Sequence, residues 1–239
     1  MAHCDVLIVG GGPAGSSCAW ALRGSGLDVA VVDRSPFPRD KVCAGWITPP
    51  LVDALELDLA DYARGRVLQP IRAFRTGLIG GTPIDTRFDR TRSYGIRRCE
   101  LDDYLLRRTG TRLVLGEAVR EIAHDGSGWI LNGRLRARML VGAGGHACPV
   151  ARYLRGGAEA AVPIIRAQEA EYPLPEGFAD PVIGETPELY FCPDLAGYGW
   201  VFRKGAYLNV GLGREDPKDL PGHVQRFCTW LRETGRLTL

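Results

Sequence analysis

Apolar positions along this chain fall into short continuous runs, period-two alternation and a few helical repeats. Val6–Val9 is an apolar run that predicts a buried strand, followed by a helix over Pro13–Arg23 and a second strand over Val29–Val32. A Pro- and Arg-rich loop, RSPFPRDKVCAGWITPP, comes next, too long and irregular for an ordinary connection. Pro49–Leu57 predicts a short helix, and the alternation over Arg66–Asp89 with its Gly80-Gly81 turn predicts a hairpin. Tyr94–Arg98 reads as a strand, with the amphipathic helix ELDDYLLRR after it. Arg112–Leu115, Ala118–Ala123, Trp129–Leu131 and Met139–Val141 are strand-like, and the last leads into Gly142-Ala143-Gly144-Gly145 and a helix near Pro149–Leu154. Beyond residue 160 the pattern is β-rich: Ile164–Tyr172, Glu188–Cys192, Tyr198–Phe202 and Tyr207–Leu212, then an amphipathic helix over Leu220–Thr234.

The glycines after the first strand give this opening a chemistry. In Gly10-x-Gly12-x-x-Gly15, the first glycine permits the sharp turn and the second lets a pyrophosphate approach the backbone. The third lets the helix press on the strand, so that the helix N-terminus points its unpaired N–H groups at the phosphates. Asp33 ends the second strand where a carboxylate grips a ribose hydroxyl. Strand, turn, helix, second strand and acid stand in register, which identifies an adenine-dinucleotide site. The fingerprint alone leaves FAD and NAD both open. The predicted class is α/β: a Rossmann-like nucleotide-binding domain over 1–65 and 94–155, interleaved with a β-rich α+β substrate domain over 66–93 and 156–239.

Composition narrows the partners. The 239 residues are 45% hydrophobic and 24% charged with a net charge of +2, without a basic, aromatic-interleaved cluster, which argues against nucleic acid. Seven cysteines form no CxxC pair and no zinc spacing, and the N-terminus enters a strand directly, so a reducing cytoplasm is expected. No apolar run nears the roughly 18–20 residues of a membrane span, which leaves only peripheral membrane contact open. His3, His124 and His223 are scattered, His146 reads as a solvent-facing helix-start residue, and no metal site is expected. The cluster at 142–147 lacks a following strand with a terminal acid, so it reads as a close helix–strand turn.

The fingerprint, the loop PRDKVCAGW and the segment GYGWVFRKGAYLNVGLG together resemble flavin-dependent oxidoreductases of the geranylgeranyl reductase family, within the p-hydroxybenzoate hydroxylase-like flavoproteins. The resemblance implies an FAD-binding domain of the GR2 type, FAD as cofactor, and NAD(P)H or a small electron carrier as reductant. It implies that Gly10, Gly12, Pro13, Ala14 and Gly15 lie under the pyrophosphate, with Asp33 at the ribose and Arg34 beside it. It places Cys43-Ala44-Gly45 against the flavin ring with Cys43 facing the reaction cavity, Arg98 near the phosphates and ribityl chain, and Val119 on a strand at the adenine. Tyr198, Trp200 and Phe202 would line the pocket opposite the flavin, sharing a strand face as a rigid apolar wall for an isoprenoid chain. Cys43 or an ordered water is a candidate proton donor. Read without the resemblance, Cys43 is equally a small buried hydrophobe, the aromatic stripe equally a packed sheet face, and Arg98 equally a surface ion-pair partner.

Three departures bear on the activity. The aromatic hydroxylases carry an aspartate in the turn after the strand at 139–141, where this chain has Gly142-Ala143-Gly144-Gly145, which favours the reductase branch. Arg203 replaces a frequent proline, a cation that would meet a pyrophosphate or carboxylate headgroup or else face water. Family members continue through a Gly-Asp segment that grips the ribityl chain, and no Gly-Asp dipeptide occurs here. The expectation is a truncated or split product that lacks a C-terminal partner segment and binds FAD weakly. The expected function is reduction of carbon–carbon double bonds in an isoprenoid. A flavin monooxygenase or halogenase acting on an aromatic molecule, and a non-catalytic FAD-binding fragment, are the alternatives.

Overall fold

The computed structural model describes residues 2–156, 164–177, 181–216 and 218–238. In chain order the elements are β1 (Ala2–Val9), α1 (Pro13–Ala21), β2 (Val29–Asp33), β3 (Trp46–Ile47), α2 (Pro49–Ala54), α3 (Leu59–Tyr62), β4 (Leu68–Ile71), β5 (Ala73–Leu78) and β6 (Ile84–Arg87). There follow β7 (Ser93–Ile96), α4 (Arg98–Arg107), β8 (Arg112–Leu115), β9 (Ile122–His124), β10 (Trp129–Leu131), β11 (Leu135–Gly142) and α5 (Pro149–Leu154). The remainder is β12 (Arg166–Pro173), β13 (Glu188–Phe191), β14 (Gly197–Lys204), β15 (Tyr207–Arg214) and α6 (Leu220–Glu233).

These elements form two compact units, Met1–Asp40 with Cys99–Ala161, and Lys41–Arg98 with Val162–Leu239. The divisions fall at 40/41 and 98/99, whereas the sequence reading puts residues 41–65 and 94–98 with the nucleotide-binding layer. Strand pairing explains the difference. β3 and β4 both hydrogen-bond to β7, which makes a small sheet of order β3-β7-β4 inside the second unit.

The first unit is built on a sheet of order β8-β2-β1-β11-β10-β9, parallel across β8, β2, β1 and β11 and antiparallel at β10 and β9. Leu7, Ile8, Val31 and Val32 are fully enclosed, because a parallel sheet covered on both faces needs apolar side chains on both. One face holds Leu7, Val9, Ala30 and Val32 with Val150 of α5, and the other holds Val6, Ile8, Val29 and Val31 with Ala19 of α1.

The second unit is built on a sheet of order β12-β15-β14-β13-β5-β6, antiparallel except for the parallel pair β13/β5. α6 covers one face. Its Leu220, Phe227 and Leu231 recur at helical spacing and pack with Tyr190, Val201, Val210 and Leu212. Gly199 makes room there, since a Cβ would come within 2.6 Å of the Phe227 ring. The other face carries Phe74, Leu189, Trp200 and Phe202, which form a second cluster with Ile71, Ala44 and Trp46.

Local differences from the predicted elements have simple causes. The stretch 66–89 is not one hairpin: β5 and β6 pair around Gly80-Gly81 as expected, while β4 leaves to pair with β7. The strand expected over 118–123 begins only at Ile122, and Asn132 Oδ1 instead receives the N–H groups of Arg120 and Glu121. No helix among the described residues is long and apolar enough to cross a membrane.

Candidate functional site

Within the first unit the glycine turn has the shape that a diphosphate needs. Gly10 sits at φ +113°, and a Cβ there would strike the Ala143 carbonyl, so only glycine fits. A Cβ at Gly15 would strike the Gly10 carbonyl, and this close approach seats α1 on the turn. Gly12 differs from both. The one neighbour within 4 Å of a Cβ there is Arg39 Nη2 at 3.4 Å, and Gly12 caps α1 without a side-chain hydrogen bond. The turn therefore presents bare backbone, an open helix N-terminus and a guanidinium, a combination that favours an anion.

Asp33 is tied to the same turn. Its Oδ2 accepts the Gly11 N–H at 2.7 Å and its Oδ1 accepts the Ser35 N–H at 2.9 Å. The carboxylate thus holds the turn as well as ending β2, and each oxygen keeps a lone pair for a hydroxyl. Arg39 lies 3.4 Å from Asp102 Oδ2 on α4, a carboxylate wholly withdrawn from solvent. Arg39 is not among the expected cofactor residues, although it lies in the loop motif PRDKVCAGW.

Of the other residues predicted for the cofactor, Pro13 and Ala14 open α1, and Arg34 is exposed just after β2. Val119 lies in the segment after β8 and not on a strand, partly buried against the cluster of Leu7, Val9, Ala30 and Val32. Arg98 is the half-buried first residue of α4. The second glycine cluster serves β1: Ala143 donates its N–H to Val9 O at 2.8 Å, and His146 faces solvent.

In the second unit the segment Cys43-Ala44-Gly45 is held residue by residue. Cys43 donates its N–H to Glu169 Oε1 at 2.6 Å, Ala44 O accepts from Lys204 Nζ at 3.0 Å, and Gly45 O accepts the Ile96 N–H at 2.8 Å. The Cys43 Sγ receives the Gly45 N–H at 3.4 Å. Gly45 has φ +74°, and a Cβ there would meet the Ile96 carbonyl and lie 2.6 Å from Lys204 Nζ.

Tyr198, Trp200 and Phe202 do share one face of β14, but in two environments. Phe202 is 2% exposed and Trp200 6%, packed with Ile71, Trp46, Phe74 and Leu189, while Tyr198 is 45% exposed. Trp46 stacks on Phe74 with ring centroids 5.0 Å apart. The Trp200 indole N–H donates to Asn209 Oδ1 at 2.7 Å. Arg203 projects to the opposite face by strand alternation and donates to Gly205 O at 3.2 Å. It is therefore no part of the aromatic face.

Glu169, Glu171, Asn209 and Lys204 are functional candidates that the sequence reading passed over. Burial pushes the Glu171 carboxyl up, but hydrogen bonds from Arg97 and Lys204 outweigh it and hold the group below the ordinary carboxylate range.

Comparison with known proteins agrees with this geometry. Residues 5–104 match the family model described as FAD dependent oxidoreductase (DAO). A menaquinone reductase from Mycobacterium tuberculosis is 35% identical over 230 residues, which cover 87% of this chain and 54% of that protein. A geranylgeranyl diphosphate reductase from Rhodobacter capsulatus is 28% identical over 249 residues, covering 95% of this chain and 58% of that protein. Among solved structures, a geranylgeranyl bacteriochlorophyll reductase-like protein from Thermoplasma acidophilum superposes with a TM-score of 0.77 at 21% identity. That match covers 99% of this chain and 63% of the other. The chain thus spans somewhat more than half the length of the curated relatives it matches.

Proposed function

We propose that this chain, which carries an FAD-dependent oxidoreductase domain over residues 5–104, is the FAD-holding part of a reductase that saturates carbon–carbon double bonds of an isoprenoid. The turn at Gly10–Gly15 supports the cofactor assignment, being open at Gly12, flanked by Arg39, and closed at Gly10 by the Ala143 backbone, at Gly11 by Phe37 and Leu106, and at Gly15 by the Gly10 carbonyl. Those residues would hold the pyrophosphate, and Asp33 would hold the adenosine ribose while keeping the turn in shape. Reduced FAD supplies a hydride to an alkene.

One observation carries the substrate reading. In register across the sheet, Leu78, Phe191 and Tyr198 form a row that is about half exposed, at 46%, 45% and 45%. Phe74, Leu189, Trp200 and Phe202 extend that apolar face into the closed cluster, with Thr76 among them and Lys204, Asn209, Glu169 and Glu171 bordering it on the same face. Such a face takes an extended hydrocarbon and excludes water from it. The relatives named for menaquinone and geranylgeranyl diphosphate point to the same class of compound. The reductant would be NAD(P)H or a small electron carrier, and Cys43 or an ordered water would deliver the proton to the second carbon.

The test uses the purified chain titrated with FAD and followed by flavin fluorescence, then reduced and mixed without oxygen with geranylgeranyl diphosphate or a menaquinone. Reoxidation with a product whose isoprenoid chain carries two more hydrogens is the expected result; a menaquinone reduced only at its quinone ring would overturn the reading. Flavin that is reoxidised only by oxygen, with hydroxylation or halogenation of an aromatic compound, would overturn the reductase reading in favour of a monooxygenase or halogenase.

A further inference from the structure

We propose that Lys204, with Glu171 and Arg97, is a positioning residue that sets the conformation of the Cys43–Gly45 loop; its importance for reduction rests on reading that loop as the flavin-facing segment. Lys204 is wholly buried, and each of its three ammonium hydrogens has an acceptor: Ala44 O at 3.0 Å, Ile96 O at 3.1 Å and Glu171 Oε2 at 2.6 Å. The two carbonyls belong to segments that face each other, since Gly45 O and the Ile96 N–H are themselves bonded. One cation thus clamps both sides of the turn at Gly45.

The counter-charge is held in its turn. Arg97 Nε donates to Glu171 Oε1 at 2.7 Å, and its guanidinium lies 3.8 Å from the centroid of the Tyr207 ring. A second carboxylate grips the loop one residue earlier: Glu169 accepts the Cys43 N–H through Oε1 and the Asn209 amide through Oε2 at 3.0 Å. Asn209 is oriented by the Trp200 indole, which links this clamp to the aromatic face.

Stability alone does not account for a lysine here. A buried ion pair is often no more stabilising than apolar side chains of equal volume. Methionine would fill the space beside Phe202, yet it could hold neither carbonyl. What the ammonium adds is a fixed path for the main chain through Ala44, Gly45 and Ile96.

The experiment compares wild type, Lys204→Met and Glu171→Gln in the full chain. Hydrogen exchange is read over residues 41–47 and 94–98, with β1 as internal reference, and Cys43 alkylation by iodoacetamide is mapped by mass spectrometry. Lys204→Met is expected to speed loop exchange about tenfold or more and to raise Cys43 labelling, with β1 unchanged. Leu231→Ala weakens the same unit from its α6 face and is expected to leave the loop at the wild-type rate. Glu171→Gln nearly keeps the volume and carries the same readout if Lys204→Met does not fold. Wild-type protection in the folded variants, equal loosening by Leu231→Ala, or failure of both variants to fold would each overturn the proposal. FAD added to wild type separates the two claims. Binding that leaves loop exchange unslowed refutes the flavin-facing reading, while the Lys204 claim is decided by the comparison without FAD.

Discussion

Replacing Gly12 with alanine separates ligand binding from folding at the glycine turn. Gly12 has φ −72° and ψ −173°, a conformation open to any residue, and the nearest atom to an added Cβ is Arg39 Nη2 at 3.4 Å. Ordinary contact distance to a flexible side chain costs little, so Gly12→Ala is expected to change folding stability by no more than about 1 kcal/mol, the usual scale for a cap substitution. The methyl group would stand where a phosphate oxygen must reach the backbone, and FAD affinity is expected to fall about tenfold or more, roughly 1.4 kcal/mol. Gly15→Ala is the opposite case. Its Cβ would collide with the Gly10 carbonyl, which cannot swing away without unmaking the turn, so a loss of about 3 kcal/mol or more is expected. Urea denaturation of the unliganded proteins and an FAD fluorescence titration read the two effects separately. If Gly12→Ala bound FAD as tightly as wild type, the pyrophosphate would not lie on this turn.

The remaining predictions concern the second unit. Glu171 has a folded pKa below its ordinary 4.5, so its contribution to stability is present above that value and lost as pH falls through the folded one; thermal melts between pH 6 and 3 should show this, with a flatter profile in Glu171→Gln. Trp200→Phe withdraws the donor from Asn209 Oδ1 in a buried setting and should cost about 1–3 kcal/mol by urea denaturation; a neutral result would mean that another donor replaces it. Phe202→Ala should cost about 3–5 kcal/mol as a core truncation. Tyr198→Ala, at a half-exposed position, should cost less than about 1 kcal/mol while raising KM for an isoprenoid in the reductase assay. Equal destabilisation by the two substitutions would argue against an open apolar row.

Legibility in the sequence followed whether the residues themselves carry the signal. The turn at Gly10–Gly15 depends on what glycine lacks, so the glycine spacing alone revealed it, although the carbonyl that demands Gly10 belongs to Ala143, far along the chain. The β5–β6 hairpin was visible for the same reason, through its Gly80-Gly81 turn. The parallel pairing of β13 with β5 joins residues more than a hundred positions apart and leaves no local trace, and β4 choosing β7 over its chain neighbour β5 leaves none either. At Val119 the apolar pattern was real but misleading. The residue is partly buried, though it lies off any strand, because Asn132 takes up the backbone donors at Arg120 and Glu121.

Lys204 marks the limit more sharply. Strand alternation puts it on the same face as Phe202 and Trp200, so a cation was foreseeable on an otherwise apolar face, and that contradiction was the available signal. It was obscured because Lys204-Gly205 also reads as the start of a turn. What no local rule could supply is the partner set: Glu171 lies on β12, Ala44 in the loop before β3, and Ile96 on β7. The nucleotide turn is specified by absent side chains and can be probed one residue at a time. The Cys43–Gly45 loop is specified by side chains from two distant strands, β12 and β14, so substitutions at Lys204, Glu171 and Glu169 should couple rather than add.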